Sequence, residues 1–251
     1  MLTIFSLKQL KKSSLIRSCL AYSIYQLMRL LFLTLKHKVI SPGFLDEARG
    51  FSAFGKYIAP IWHQNILSNC YYFANENPDS MFTMVSVGSD GQLLSSIVSK
   101  LSQGSKRNSG YSFEGSSSKK GAIGTLKVVK ILSSGDESAK VYTSGFDGPR
   151  GPIHQPKLGV IQMARLARVP IVALVILPSR YWTLRTWDRF RIPKPFSTVY
   201  IHPCKPIYVD ADTPKEQFPS IAEEIKSEMM QCEAEIRDKY KIKKHKLELD
   251  A

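Results

Sequence analysis

Apolar residues in this chain come in two rhythms. Short unbroken apolar runs read as strands buried on both faces: Tyr57 to Trp62, Met81 to Val87, Ala139 to Thr143 and Pro170 to Ile176, with later strands at Val199 to His202 and Pro206 to Val209. Between them, Gln64 to Asn75, Gly91 to Leu101, Gly121 to Leu132 and Leu158 to Ala167 place apolar residues at three- and four-residue spacing, which predicts amphipathic helices. Strand-helix alternation of this kind predicts an α/β fold, a mostly parallel central sheet with helices on both faces. Residues 213 to 244 form a polar, charged helix with apolar Ile221, Ile225, Met229, Cys232 and Ile236 along one side, ending in the basic run KYKIKKHK. Residues 104 to 110, rich in Ser, Lys and Asn, read as a loop.

The amino-terminal pattern differs. Residues 15 to 35 are mostly apolar but are interrupted by Arg17, Gln26 and Arg29 and flanked by Lys8, Lys11, Lys12, Lys36 and Lys38. A charge near a bilayer centre costs about 2.5 kcal/mol or more, so a helix lying in the membrane interface fits better than one crossing it. A buried helix is the remaining reading. The pattern lacks a small-residue cleavage site, which argues against a signal peptide. The organisation expected is a membrane-associating segment at 1–40, a catalytic-size domain at 41–212, and an amphipathic helix with a basic tail at 213–251.

Composition refines this picture. The chain has 251 residues, with 35 Lys and Arg against 21 Asp and Glu, a formal charge of +14. Such an excess favours anionic partners: lipid headgroups, an acidic carrier protein or nucleic acid. Charge alone does not choose among them, although the basic tail suits a solvated or headgroup-binding segment better than a nucleic-acid patch. Cys19, Cys70, Cys204 and Cys232 are scattered without a CxxC or metal-ligand spacing, so reduced packing cysteines and no bound metal are expected.

Candidate chemistry gathers where strands end. His63 follows the first apolar strand, at the carboxyl edge where open α/β sheets bind ligands; it reads either as a general base or as a structural histidine. Asp90, in Ser89-Asp90-Gly91, follows the second strand and reads as a carboxylate for the site or as a helix cap. Gly115-Ser116-Ser117-Ser118-Lys119-Lys120-Gly121 presents hydroxyls, helix amides and ammonium groups that can cradle an anion, or it is a flexible linker. Asp147-Gly148-Pro149-Arg150-Gly151-Pro152 fixes a carboxylate and a guanidinium on a rigid turn; Arg150 suits a phosphate, and a tight surface turn is the alternative. GxxxxGK[ST] and GxSxG are absent, which removes the main support for an ATPase or a serine-hydrolase elbow.

The order of these motifs carries a resemblance over about residues 45 to 210. Trp62-His63, Ser89-Asp90-Gly91, Gly115 to Ser118, the turn at 147–152 and Trp187-Asp188-Arg189-Phe190 followed by Ile192-Pro193-Lys194-Pro195-Phe196 are similar to the family known as domain of unknown function 374. That family lies within the lysophospholipid acyltransferase-like superfamily and includes secondary acyltransferases of lipid A. The resemblance implies transfer of an acyl chain from acyl-ACP or acyl-CoA to a hydroxyl of an anionic lipid, with lipid A or a Kdo-bearing precursor as the favoured acceptor and a lysophospholipid as the alternative. A non-catalytic membrane or nucleic-acid binder is the remaining possibility.

For the sites, the resemblance implies His63 as base and Asp90 as the carboxylate orienting it, because the superfamily's His-x-x-x-x-Asp pattern meets Ser68 here. It also implies substrate and phosphate binding by Ser116, Ser117, Ser118, Asp147, Gly148 and Arg150, with oxyanion-stabilising amides near the serine or Asp-Gly-Pro turns. Glu114 stands where relatives carry Arg. Trp182, Arg185, Trp187, Asp188 and Arg189 match the family's later block, an aromatic and basic strip that either flanks a lipid or sugar acceptor or buttresses the loop containing Pro193 and Pro195, with buttressing favoured for the tryptophans and Asp188; Gly159 is expected to allow close helix packing. No cofactor is expected; a membrane lipid acceptor, an acyl carrier protein and an anionic membrane surface are the expected partners, nucleic acid is not, and the cytoplasmic face of a bacterial inner membrane is the expected location.

Overall fold

The computed structural model describes residues 14–75, 79–85, 95–96, 99–100, 111–114 and 121–249. In chain order the elements are α1 (Ser14–Thr34), β1 (Lys36–Val39), α2 (Gly43–Phe51), β2 (Tyr57–Ile61), a 3₁₀ turn (His63–Asn65), α3 (Ile66–Asn75), β3 (Met81–Val85), β4 (Tyr111–Glu114), α4 (Gly121–Leu132), β5 (Val141–Gly145), α5 (Gly159–Ala167), β6 (Leu174–Pro178), β7 (Tyr181–Thr183), β8 (Arg191–Pro193), β9 (Thr198–Pro203), a second 3₁₀ turn (Lys215–Gln217), α6 (Phe218–Tyr240) and α7 (Lys246–Leu249). The α/β fold expected from the pattern is the fold observed.

Two sheet segments run β2-β5-β3-β4 and β1-β9-β6. The first is wholly parallel, while the second combines a parallel β1–β9 pair with an antiparallel β6–β9 pair. A single parallel bridge, Ile58 to Ile171, joins them, with Ile58 N–H donating to Pro170 and Val172 N–H donating to Ile58. Burial explains why the strands read as unbroken apolar runs, since every residue of β2 and of β6 is buried. Two cores cover the two faces. One gathers α4, α5 and α6 through residues such as Val128, Ile161 and Met229; the other gathers α1, α2 and α3 through Phe32, Leu45 and Tyr72.

Several boundaries moved for physical reasons. The stretch 170–173 is buried but contributes only isolated bridges, at Ile171 to Ile58 and Ile207, so regular pairing begins at Leu174. Residues 206–209 likewise contribute only the Ile207 bridge. The long polar helix narrows to α6, which starts just before Pro219 and stops where Lys241 turns left-handed at φ 55°. Within segment 1–40, β1 pairs with β9, so part of that segment belongs to the sheet. α1 buries Ala21, Tyr25 and Phe32 against the body and exposes Leu20, Leu27, Leu30 and Leu33. No helix among the described residues is long and apolar enough to cross a membrane.

Strands β7 and β8 form a hairpin outside the main sheet, with residues 184–190 at its tip. A buried ionic cluster ties this hairpin to the carboxyl-terminal helices. Arg191 on β8 donates to Glu233 on α6 at 3.0 and 3.3 Å and to Glu248 on α7 at 2.8 Å. Arg237 donates to Glu233 at 2.6 and 2.9 Å, to Glu248 at 3.3 Å and to the Tyr181 hydroxyl at 3.0 Å. Burial would raise the Glu233 pKa, but the guanidinium groups of Arg191 and Arg237 outweigh it and hold the value down to about 2.

Breaking a buried pair leaves an uncompensated charge, so Glu233→Gln is expected to cost about 3–5 kcal/mol in urea unfolding. Because the folded-state pKa is depressed, Glu233 contributes stability fully above the ordinary value of 4.5 and loses it as pH falls towards 2. The variant's unfolding free energy should therefore change less than the wild type's across that window, as read by urea melts at a series of pH values.

Candidate active site

The site begins at the end of β2. The chain leaves the strand at Trp62 and enters a 3₁₀ turn with Asn65 N–H donating to Trp62, which turns His63 outward at the carboxyl edge of the parallel sheet. Gly145, at the end of neighbouring β5, lies beneath the imidazole; a Cβ there would sit 3.1 Å from His63 Cδ2. A side chain at this position would press on the imidazole and push it by a few tenths of an ångström from its place over the strand end.

The turn after β5 fixes the backbone of His63. Asp147 is fully buried, and its two carboxylate oxygens accept His63 N–H at 2.9 Å and His154 N–H at 3.2 Å. Burial pushes the Asp147 carboxyl up in spite of these amides. Asp147, expected from sequence to bind substrate, thus has both oxygens engaged by main-chain amides inside the protein. Two amides of the same turn are also used, with Phe146 N–H donating to Ile61 and Gly148 N–H to Gly145, and these two are not available as oxyanion donors in this arrangement.

The hairpin tip supplies the partner of the imidazole. His63 Nδ1 lies 2.7 Å from Asp188 Oδ2, and Thr186 Oγ1 donates to Asp188 Oδ1 at 2.5 Å. Burial works against the Asp188 carboxylate, but the bonds from His63 and Thr186 outweigh it and keep its pKa below the usual range. An ionised carboxylate on Nδ1 holds the proton on that nitrogen and leaves Nε2 as the basic one. Asp188 is therefore a carboxylate partner of His63 and not a loop buttress. Asp90, the partner expected from sequence, lies outside the described residues, as do Ser116, Ser117 and Ser118.

Trp187 does buttress. Its ring centroid is 5.0 Å from that of His63, and its Cε3 would lie 2.5 Å from a Cβ added at Gly151. Gly151 also has φ +63°, so both conformation and space demand glycine. The cis peptide between Gly151 and Pro152 completes this turn. Gly148 has φ +72° and packs under Lys157, whose Cγ would be 3.3 Å from an added Cβ. Arg150 stands exposed on the same turn. Gly159, expected to permit helix packing, has no atom within 4 Å of an added Cβ and instead lines a cavity.

That cavity, about 260 Å3, opens beside His63. Its walls are chiefly apolar, including Ile61, Met81, Met84, Phe146, Val160 and Met163, with Asn69, Thr83, Thr143, Ser144 and Lys157 among the polar residues that line it. Asn69 is buried, donates to Thr143 Oγ1 at 3.4 Å, and has no partner for its carbonyl oxygen. Ser68, five residues after His63, is fully buried and its hydroxyl has no partner. A basic imidazole nitrogen beside a chiefly apolar cavity is equipped to deprotonate a hydroxyl next to a hydrocarbon chain.

No family model matches the sequence, so the resemblance to the domain-374 family rests on the motifs themselves. The chain is 25% identical over 226 residues to RP090, an uncharacterized protein of Rickettsia prowazekii, across 87% of this chain and 97% of that protein. Among solved structures, the 1-acyl-sn-glycerophosphate (LPA) acyltransferase PlsC from Thermotoga maritima superposes with a TM-score of 0.46 and 11% identity over 84% of this chain and 79% of that one.

Gly151→Ala is expected to displace the Trp187 ring and with it the Asp188 loop, at a cost of about 1–3 kcal/mol from overpacking and backbone strain. Near-UV circular dichroism of the tryptophans together with a urea melt checks this; a variant with unchanged spectrum and stability would contradict the packing described.

Proposed function

We propose that this protein is an O-acyltransferase that moves a fatty acyl chain from a thioester, acyl-ACP or acyl-CoA, to a hydroxyl of an anionic membrane lipid. The observation that carries the reading is the pairing of His63 Nδ1 with Asp188 at 2.7 Å beside a chiefly apolar cavity. In the reaction proposed, His63 Nε2 takes the proton of the acceptor hydroxyl as its oxygen attacks the thioester carbonyl carbon. Collapse of the tetrahedral intermediate breaks the C–S bond, and the thiolate recovers the proton from the imidazolium. The Asp188 carboxylate stabilises the imidazolium in between, and the apolar cavity receives the acyl chain. The motif resemblance favours lipid A or its Kdo-bearing precursor as acceptor; Arg150, exposed beside the site, is the proposed contact for its phosphate.

The same reading places the protein on the cytoplasmic face of a bacterial inner membrane. The support is α1, whose Leu20, Leu27, Leu30 and Leu33 are exposed while Tyr25 and Phe32 hold the opposite side to the body, together with exposed Lys36 and Lys38 on β1, which follows it. Leucines in lipid with lysines at headgroups form an interfacial anchor. An acidic acyl carrier protein would be drawn by the same net positive charge.

Mass spectrometry of lipid A and phospholipids from cells lacking the gene, complemented with wild type, His63→Ala or Asp188→Asn, tests the reaction. Lipid A short of one secondary acyl chain, restored by wild type and not by His63→Ala, is expected; accumulation of lysophospholipid with intact lipid A would reassign the acceptor. Asp188→Asn is expected to lower the transfer rate by about 10²–10⁴-fold. For the anchor, Leu27→Glu with Leu30→Glu should abolish sedimentation with anionic liposomes while shifting stability by no more than about 0.5 kcal/mol. Unchanged sedimentation would remove α1 from the membrane-binding surface.

A further inference from the structure

In an antiparallel pair such as β7 and β8, successive residues face opposite ways. Tyr181, Arg191 and Pro193 are the buried set that holds the hairpin to the body. The outward set is Trp182 and Ile192, which are Cα partners, continued by Leu184 and Lys194. A ribbon with one face in water ordinarily carries polar residues on that face. Here Trp182 is 49% exposed, Leu184 is 40% exposed and Ile192 is half-buried, while the Lys194 ammonium lies 5.5 Å from the centroid of the Trp182 ring.

The turn after β8 adds a strained residue to this face. Phe196 is 78% exposed, belongs to neither core, and holds φ at +61°, a region that bulky side chains avoid. Its neighbours are set by hydrogen bonds. Arg180 Nη2 donates to the Pro195 and Phe196 carbonyls at 3.2 and 3.4 Å, which ties the turn to the foot of β7. Lys36 N–H donates to the Ser197 carbonyl at 3.1 Å, which puts Phe196 beside the end of α1, where Leu33 is equally exposed. The charges on the hairpin are one-sided. Between Pro178 and Tyr200 five cations meet a single acid, Asp188, which is buried in its bond with His63. Arg191 is spent on Glu233 and Glu248, and Arg189 lines a second, charged cavity where Asp238 also stands. Arg180, Arg185 and Lys194 remain around the exposed aromatic residues.

We propose that the outward face of the β7–β8 hairpin, with Phe196, is a second membrane-docking surface that seats on an anionic bilayer alongside α1. Trp and Phe suit the boundary between headgroups and acyl chains, and Arg and Lys beside them reach anionic headgroups while their stems lie along apolar surface. The proposal rests on the membrane-lipid acceptor of the proposed function and names where the body of the protein meets that membrane. Asp188 stands at the tip of the same hairpin, so docking sets the His63–Asp188 pair at the lipid surface that supplies the acceptor hydroxyl.

Vesicles of phosphatidylcholine and phosphatidylglycerol with brominated acyl chains, which quench tryptophan on contact, test this on the full chain. Trp62 is buried, so the emission that vesicles can reach comes from Trp182 and Trp187. Wild type should be quenched, and Trp182→Phe should lose most of that quenching. Equal quenching in both, or none in a wild type that sediments with the vesicles, overturns the surface; the second result leaves the α1 anchor standing. Trp182→Ser with Phe196→Asn should weaken vesicle binding by about tenfold. The melting temperature should not fall, because both side chains are exposed and Asn tolerates positive φ. A lower melting temperature with vesicle binding intact would give these residues a structural role and overturn the surface, and intact vesicle binding with lost binding of an acidic acyl carrier protein would assign the face to that protein instead. Quenching that survives Leu27→Glu with Leu30→Glu would remove α1 from the membrane contact and leave the hairpin in it. A wild type that binds vesicles and is quenched by them but transfers no acyl chain would overturn the acyltransferase reading and leave this surface standing.

Discussion

The buried Asp147 carboxylate is the constraint on which the site depends. It is fully buried, and among the described residues its oxygens accept from the amides of His63 and His154. Burying a carboxylate is costly, and two charge-assisted bonds to main-chain amides are what offset the cost. The geometry that results is hard to change. It ties the end of β2 to the turn after β5, so the imidazole rises where two adjacent parallel strands both finish, with Gly145 providing the room beneath it. Losing the carboxylate would leave the His63 and His154 amides without these acceptors.

The other half of the pair arrives from 125 residues further along the chain. Asp188 sits on a hairpin that lies outside the main sheet, so sheet hydrogen bonds cannot hold it in place. What holds the hairpin is the ionic cluster of Arg191 with Glu233 and Glu248, reinforced by Arg237 and Tyr181. The carboxyl-terminal helix thus does more than cover the sheet: it anchors the base of the loop whose tip orients His63. At that tip, Trp187 wedged over Gly151 links the Asp188 loop back to the turn that Asp147 organises.

The fold was legible because parallel strands buried on both faces leave continuous apolar runs, and α4 at Gly121 to Leu132 coincides with its predicted span. What escaped were elements without that signature. β1, Lys-His-Lys-Val, is a mostly exposed edge strand and carries no apolar run; the three-residue strands of the hairpin are too short for any periodicity. His63 was legible from its position after a strand. Asp188 was not legible as its partner, because a contact between a strand end and a distant hairpin leaves no spacing to read; its place in the Trp-Asp-Arg-Phe block that carries part of the family resemblance was the one signal. The burial of Asp147 was not legible for a related reason, since a carboxylate among glycines and prolines looks exposed until the turn closes over it.

The two cavities give the site an asymmetry that follows from which elements build them. The apolar one is formed by strand ends and the helices that pack on them, so its walls inherit the sheet's hydrocarbon character. The charged one is formed by the hairpin and the carboxyl-terminal helices, where ion pairs replace sheet hydrogen bonds as the means of attachment. His63 lines the first and Gln64 the second, so the short 3₁₀ turn separates them. An amphiphile whose reacting hydroxyl lies between a hydrocarbon and a charged group finds both environments within two consecutive residues. The placement of the histidine on that turn, rather than deeper in the strand or further along α3, is what lets one imidazole border a site with a dry side and an ionic side.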